Sequence, residues 1–98
     1  MTKDELFDLM NDDTWDESFY DIPEDQRPSK RKDLCAFILL DKLAPDIGRM
    51  VSAVAHDVIY LDIDIDKLAE VITIEQVHYL MTCGVNYERE SDSLYMYV

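Results

Sequence analysis

The sequence predicts an α+β fold, with a helical N-terminal half followed by strand, helix, helix and a β-hairpin that together build a small antiparallel sheet. Residues 57–65, Asp-Val-Ile-Tyr-Leu-Asp-Ile-Asp-Ile, alternate apolar and polar side chains, the period of a half-buried strand. On either side of that stretch the apolar residues recur at helical spacing behind capping signals. After Gly84 the period returns to two, in 85–87 and 94–98 around the polar turn 88–93.

Taken in order, Thr2-Lys-Asp-Glu5 fits a capping box, in which the threonine hydroxyl and the glutamate carboxylate satisfy each other's backbone N–H groups. Leu6, Leu9 and Met10, with Phe7 beside them, give the helix behind it an apolar edge. Thr14-Trp-Asp-Glu17 repeats the box pattern, and Trp15 with Phe19 forms an i,i+4 aromatic pair. Pro23 and Pro28 predict a loop over 20–28. Ser29 is placed to cap the next helix, where Leu34-Cys-Ala-Phe-Ile-Leu-Leu40 is apolar around most of its circumference and predicts a centrally buried element. Pro45 ends it.

Asp46 can cap a further helix in which Ile47, Met50, Val51 and Val54 fall at i, i+3, i+4 and i+7, although Gly48 weakens it. His56 and Asp57 mark the exit into the strand. That strand sets Ile59, Leu61, Ile63 and Ile65 on one face and Tyr60, Asp62 and Asp64 on the other. Asp64 or Asp66 then caps a helix carrying Leu68, Ala69, Val71 and Ile72. Thr73-Ile-Glu-Gln76 is another capping box, Ile74, Val77, Leu80 and Met81 form the apolar side behind it, and Gly84 supplies the left-handed residue that ends the helix. The 98 residues suffice for one domain, residues 1–98, divided into an acidic N-terminal segment, 1–28, and a core, 29–98.

Charge is the unusual quantity. Asp and Glu number 22 against 9 Lys and Arg, a net charge of −13. Residues 1–26 hold ten of the acids and one lysine, while Arg27, Lys30, Arg31 and Lys32 gather just afterwards. Such a surface repels nucleic acid and anionic membrane and attracts basic protein surfaces, so direct nucleic-acid binding is not expected. The basic cluster reads as counter-charge beside the acidic segment and the next helix, with docking of an acidic partner as the sharper alternative. The N-terminus lacks the basic and apolar regions of a signal peptide, and no apolar run is long enough to span a bilayer, which predicts a cytoplasmic protein.

The chain offers little for catalysis. Asp62, Asp64 and Asp66 resemble the opening of a calcium loop, but Lys67 stands where a turn glycine is needed and Thr73 where a bidentate glutamate belongs. His56, His78, Cys35 and Cys83 match no zinc spacing, and with Gly48 and Gly84 as the only glycines there is no phosphate-cradling loop. We expect no metal, no cofactor and no enzyme activity, and two reduced core cysteines.

The order of a preceding helix, then strand, helix, helix and hairpin resembles that of winged-helix domains. In DNA-binding members the second helix reads base edges with Arg, Lys, Asn or Gln. Here its outward face would carry Glu75, Gln76, Tyr79 and Thr82, and the hairpin turn sets Glu88, Glu90 and Asp92 against one Arg89. The resemblance therefore implies protein binding, in which Tyr79, Tyr95 and Tyr97 would form an adapter's apolar surface and a homodimer is allowed.

Glu5, Asp8, Asp12 and Asp16 recur at helical spacing, about 5 Å apart along the axis of a helix rising ~1.5 Å per residue. Phosphates of one DNA strand advance roughly 3.4 Å each, so this face can imitate a nucleic-acid backbone as well as keep the protein soluble. Trp15, Phe19 and Tyr20 lie among these acids, either as anchors for a partner or as pins to the chain's own core. In overall character, small, acidic and without a catalytic motif, the chain resembles phage-encoded inhibitors of host defence, of the anti-CRISPR and anti-restriction type. That resemblance implies a protein that occludes the basic nucleic-acid channel of a host nuclease or CRISPR effector. The expected contacts are Glu5, Asp8, Asp12, Asp13, Trp15, Asp16, Glu17 and Phe19. An immunity or antitoxin protein that neutralises a basic toxin would use the same electrostatics.

Overall fold

A computed structural model of the chain describes residues 1–12 and 18–97. Helix α1, Lys3–Met10, precedes two 3₁₀ turns, Phe19–Asp21 and Glu24–Gln26, and helix α2, Lys32–Leu43. Strands β1, Val51–Ala55, and β2, Val58–Leu61, form a hairpin; α3, Ile65–Val71, and α4, Ile74–Thr82, follow, and β3, Asn86–Glu88, with β4, Ser93–Tyr97, closes the chain. The sheet is antiparallel with order β1-β2-β4-β3. This is the expected α+β arrangement, helices first and a hairpin at the C-terminal end.

The capping signals account for three of the helix starts. Thr2 Oγ1 accepts from the Glu5 N–H at 3.2 Å, while Glu5 Oε1 accepts from the Thr2 N–H at 3.1 Å. Thr73 and Gln76 repeat the exchange at α4, at 3.2 and 2.9 Å. Asp64 caps α3 by accepting from the Lys67 N–H at 3.2 Å. Gly84, at φ 94°, reverses the chain after α4, a conformation that costs glycine nothing.

Four parts of the expected architecture are corrected. The stretch over 47–54 is not a helix. Gly48 adopts φ 106°, Ile47 is 93% exposed, and Val51 onward pairs with β2, Val54 opposite Ile59 and Ala55 opposite Val58. Eight residues are too few to hold a helix without a buried face, and β-branched valines suit a pleated strand. His56 and Asp57 are accordingly the two-residue turn of a hairpin, His56 at φ 54°. The predicted strand over 57–65 also stops early: after Leu61 the chain leaves the sheet, the Asp62 N–H donates to the Met50 carbonyl at 2.6 Å, and Ile65 already belongs to α3. Leu61, Ile63 and Ile65 are nevertheless all buried, as the alternation required.

Helix α2 is not central either. Cys35, Ala36 and Leu40 are buried, but Leu34 and Ile38 are 43% and 44% exposed. A chain of 98 residues is too small to surround a helix on every side. Ser29 does not cap it: Arg31 holds the N-cap position without a side-chain cap, and Ser29 Oγ accepts from the Arg31 N–H instead, at 3.0 Å.

The sheet register sorts its side chains. Leu61 faces Leu94, Ile59 faces Met96 and Tyr87 faces Leu94 on the side toward the helices, where Leu61, Tyr87, Leu94 and Met96 join Leu6, Leu40, Leu68, Val77 and Leu80 in the core. The opposite face carries Ala53, Tyr60 and Tyr95 in one row and Ala55, Val58 and Tyr97 in the next.

Candidate protein-binding surface

The acidic face begins on α1, so what holds α1 matters first. Leu6 is fully buried and Met10 nearly so, and Phe7 meets Tyr87 of β3 edge to face. The terminal ammonium of Met1 donates to the Ala69 carbonyl of α3 at 2.8 Å. Polar contacts to the hairpin turn lie around this apolar seam: Lys3 pairs with Asp92 at 2.9 Å and with Asp66 at 3.6 Å, and Arg89 binds Asp4 while its guanidinium stands 5.0 Å from the Phe7 ring centre. Each of these ion pairs is solvated and contributes little alone, but together they fix the angle of the helix.

The carboxylates divide into those that hold the fold and those that face outward. Glu5 is turned back on its own helix, where hydrogen bonds from the Thr2 N–H and hydroxyl draw its carboxyl below the ordinary range. Asp92 is likewise lowered, first by the Tyr87 hydroxyl and then by Lys3. The same exchange, with burial as the larger cause, raises the Tyr87 phenol. Asp8 and Asp12 are exposed on or just beyond α1 and carry the outward charge.

Phe19 is only 8% exposed, packs into the core beside Ile22 and lies under the Arg27 guanidinium at 5.5 Å. Of the two roles open to it, it takes that of a pin to the core. Tyr20, next to it, is 83% exposed. Asp13, Trp15, Asp16 and Glu17, together with the capping pattern at Thr14, lie outside the described residues, as does Val98.

No protein-family model, no curated protein and no solved structure matches the chain. The surface has to be read from its own residues.

The face of α4 that would enter a groove in a winged-helix protein is partly occupied. Glu75 is exposed, but Gln76 is engaged in the cap, the Tyr79 hydroxyl donates to the Gln26 carbonyl at 3.1 Å, and Thr82 Oγ1 donates to the His78 carbonyl at 2.8 Å. The hairpin turn is no better suited to phosphate, because its one arginine is already bound to Asp4. Tyr79 therefore stands apart from Tyr95 and Tyr97, which belong to the sheet with Tyr60. Tyr60 lies 6.1 Å from Tyr95, and Tyr95 lies 5.8 Å from Tyr97, between ring centres. The alternation that marks the strand places Tyr60 on its outer face, but its pairing with Tyr95 is set by the β2–β4 register, which the sequence does not fix.

The basic cluster sits at the start of α2. Lys30, Arg31 and Lys32 line a groove of about 560 Å³ with Phe19, Tyr20 and Tyr97, and among the described residues none of the three makes an ion pair. The three aspartates of the calcium-like run serve separate ends: Asp64 caps α3, Asp66 pairs with Lys3, and Asp62 is exposed. Among the described residues no three His, Cys, Asp or Glu side chains come together as a metal site. Cys35 and Cys83 are free and buried, and burial, with Cys35 nearby, pushes the Cys83 thiol up to about 12. No helix is long and apolar enough to cross a membrane among the described residues.

Proposed function

We propose that the chain is an inhibitory binding protein that presents its acidic N-terminal face to the basic nucleic-acid-binding surface of a host nuclease or CRISPR or restriction complex, blocking access to nucleic acid in the cytoplasm. The observation that carries this reading is the rigid seat of α1. Leu6, Met10 and Phe7 are turned inward, so Asp8 stands outward on the helix and Asp12 is exposed just beyond it, on an element already seated against the core. Charge carried on an element that is already folded avoids the entropic cost of ordering a segment on binding. The net charge of −13 adds a long-range field that would speed encounter with a cationic channel.

The test is capture from bacterial lysate with the wild-type protein beside a variant in which Asp8, Asp12, Asp13 and Asp16 are Asn. A nucleic-acid enzyme that is retained by the wild type, lost by the variant and displaced by added DNA supports the reading. Retention that is insensitive to both sinks it. Capture of a basic toxin, again lost in the variant, would favour the antitoxin reading.

A second reading, a protein-protein adapter, is favoured by one observation: Tyr60, Tyr95 and Tyr97 share a sheet face on which none of them is buried. An adapter would keep its partner when the N-terminal acids are neutralised and lose it when Tyr95 and Tyr97 become Ser.

A further inference from the structure

The two edges of the sheet differ. β3, at one edge, has three residues, carries Glu88 and packs against α1. β1, at the other, has five, Val-Ser-Ala-Val-Ala, pairs with β2 on one side and, among the described residues, with no strand on the other. Ser52, Ala53, Val54 and Ala55 are all exposed, Val54 to 66%. Proteins ordinarily guard such an edge with charge or proline, because its unpaired N–H and C=O groups form a template for another strand. β1 has neither within it; its one guard is an irregularity between Val51 and Ala53.

Its charges sit at the two ends instead. Arg49 precedes the strand and Asp57 follows it; both are exposed and neither makes an ion pair among the described residues. Arg49 and Asp57 are equally distant in sequence from Ala53. We propose that β1 is a self-association edge, which pairs antiparallel with β1 of a second copy about a two-fold axis at Ala53. In that register Val51 lies opposite Ala55 of the second copy, and Arg49, before the strand, is brought to the turn end that holds Asp57 of the second copy, so the edge is complementary to itself in hydrogen bonding and its two ends in charge. A parallel pairing would set Arg49 against Arg49 and leave both aspartates together.

The neighbouring surface suits the same occupant. Two bodies each carrying −13 repel, and they can approach most closely where the surface is neutral. The sheet face running back from β1 offers Ala53, Ala55, Val58, Tyr60, Tyr95 and Tyr97, with Glu88 of the far edge strand accepting from the Tyr60 hydroxyl at 3.1 Å. The irregularity at Ser52 keeps the ladder short, so self-association is expected to be weak, in the micromolar range. The sign of the salt effect follows. Screening relieves the repulsion between the two acidic bodies, so salt strengthens the dimer, whereas it weakens an acidic face bound to a basic channel. The inference is thus independent of the proposed function.

The test is sedimentation velocity of the full chain from about 2 to 200 µM, at about 50 and 400 mM salt, which spans the micromolar range and the change in screening length. The wild type is expected to shift from monomer to dimer with concentration, further at high salt. Arg49→Asp and Asp57→Arg should each weaken dimerisation by about fivefold or more, the double reversal should restore it, and Val54→Lys should abolish it. Far-UV circular dichroism and melting temperature check that each variant is folded, and the double reversal separates a lost contact from a damaged hairpin turn. Monomer throughout overturns the inference. A dimer indifferent to Val54→Lys, or one that the double reversal fails to restore, overturns the assigned edge and register.

Discussion

Phe7 of α1 and Tyr87 of β3 meet edge to face, with ring centres 5.7 Å apart and planes at 87°. That contact joins the first helix to the closing hairpin, and the charged groups around it extend the bond: Tyr87 donates to Asp92, Asp92 pairs with Lys3, and Arg89 covers Phe7. The acidic face is therefore mounted on the C-terminal hairpin as well as on α3 and α4.

Truncating this seam should loosen the whole domain. Leu6 is fully buried, so Leu6→Ala should cost about 2–5 kcal/mol, measured by urea unfolding. Phe7→Ala, at a half-buried position, should cost less yet remove the ring beneath the Arg89 guanidinium as well. Partner capture that survives complete loss of α1 order would speak against a preset acidic row.

The polar part of the seam should respond to pH in a defined direction. Asp92 and Glu5 are lowered from 3.8 and 4.5, so each contributes stability above its ordinary value that is lost as pH falls through the depressed one. Lys3 is raised from 10.5 by its bond to Asp92, so its contribution is present below that value and lost as pH climbs past the raised one. These groups are all partly exposed to solvent, so the expected outcome is local. Backbone NMR signals of α1 and the 89–92 turn should shift at both extremes while the α4 core keeps its positions.

Phe19 and Tyr20 should separate stability from recognition. Phe19→Ala removes a core ring and should cost about 3 kcal/mol or somewhat more, whereas Tyr20→Ala should leave the unfolding midpoint nearly unchanged. If both variants melt like the wild type, the packing of the segment after residue 18 is not what we describe.

Cys83 should be nearly inert in the folded protein. Its thiol is pushed up to about 12, so the thiolate is scarce at neutral pH and burial blocks access as well. Alkylation by iodoacetamide should be slow in buffer and fast in denaturant; labelling of Cys83 at similar rates in both would contradict this environment.

How far these features were legible in the sequence depends on how local their causes are. The boxes at Thr2 and Thr73 are agreements between residues three apart and appear where the sequence put them, and of the two caps it allowed for α3, Asp64 and Asp66, the first is taken. β1 was hidden because Ile47, Met50, Val51 and Val54 happen to fit a helical stripe, and only pairing with β2, set by the turn at His56, decides otherwise. The buried face of α2 could not be chosen from an all-round apolar run. In the candidate surface, the exposure of Asp8 and Asp12 followed from charge, but which aromatic would turn inward did not. Phe19 was decided by the space beside Ile22 and Arg27, residues that i,i+4 spacing does not consult.

The seat of α1 also sets an order of events during synthesis. Lys3 finds Asp92 across 89 residues of sequence, Asp4 finds Arg89 across 85, and Met1 finds Ala69 across 68. At roughly 5–20 residues per second, the ribosome delivers the hairpin on the order of ten seconds after the helix it will receive. Eight residues of helix do not persist alone, and closing so long a loop costs about 4 kcal/mol of chain entropy. The N-terminal end is thus made first and among the last parts to be fixed, and a nascent chain stalled before Tyr87 would carry its acids on an unseated segment.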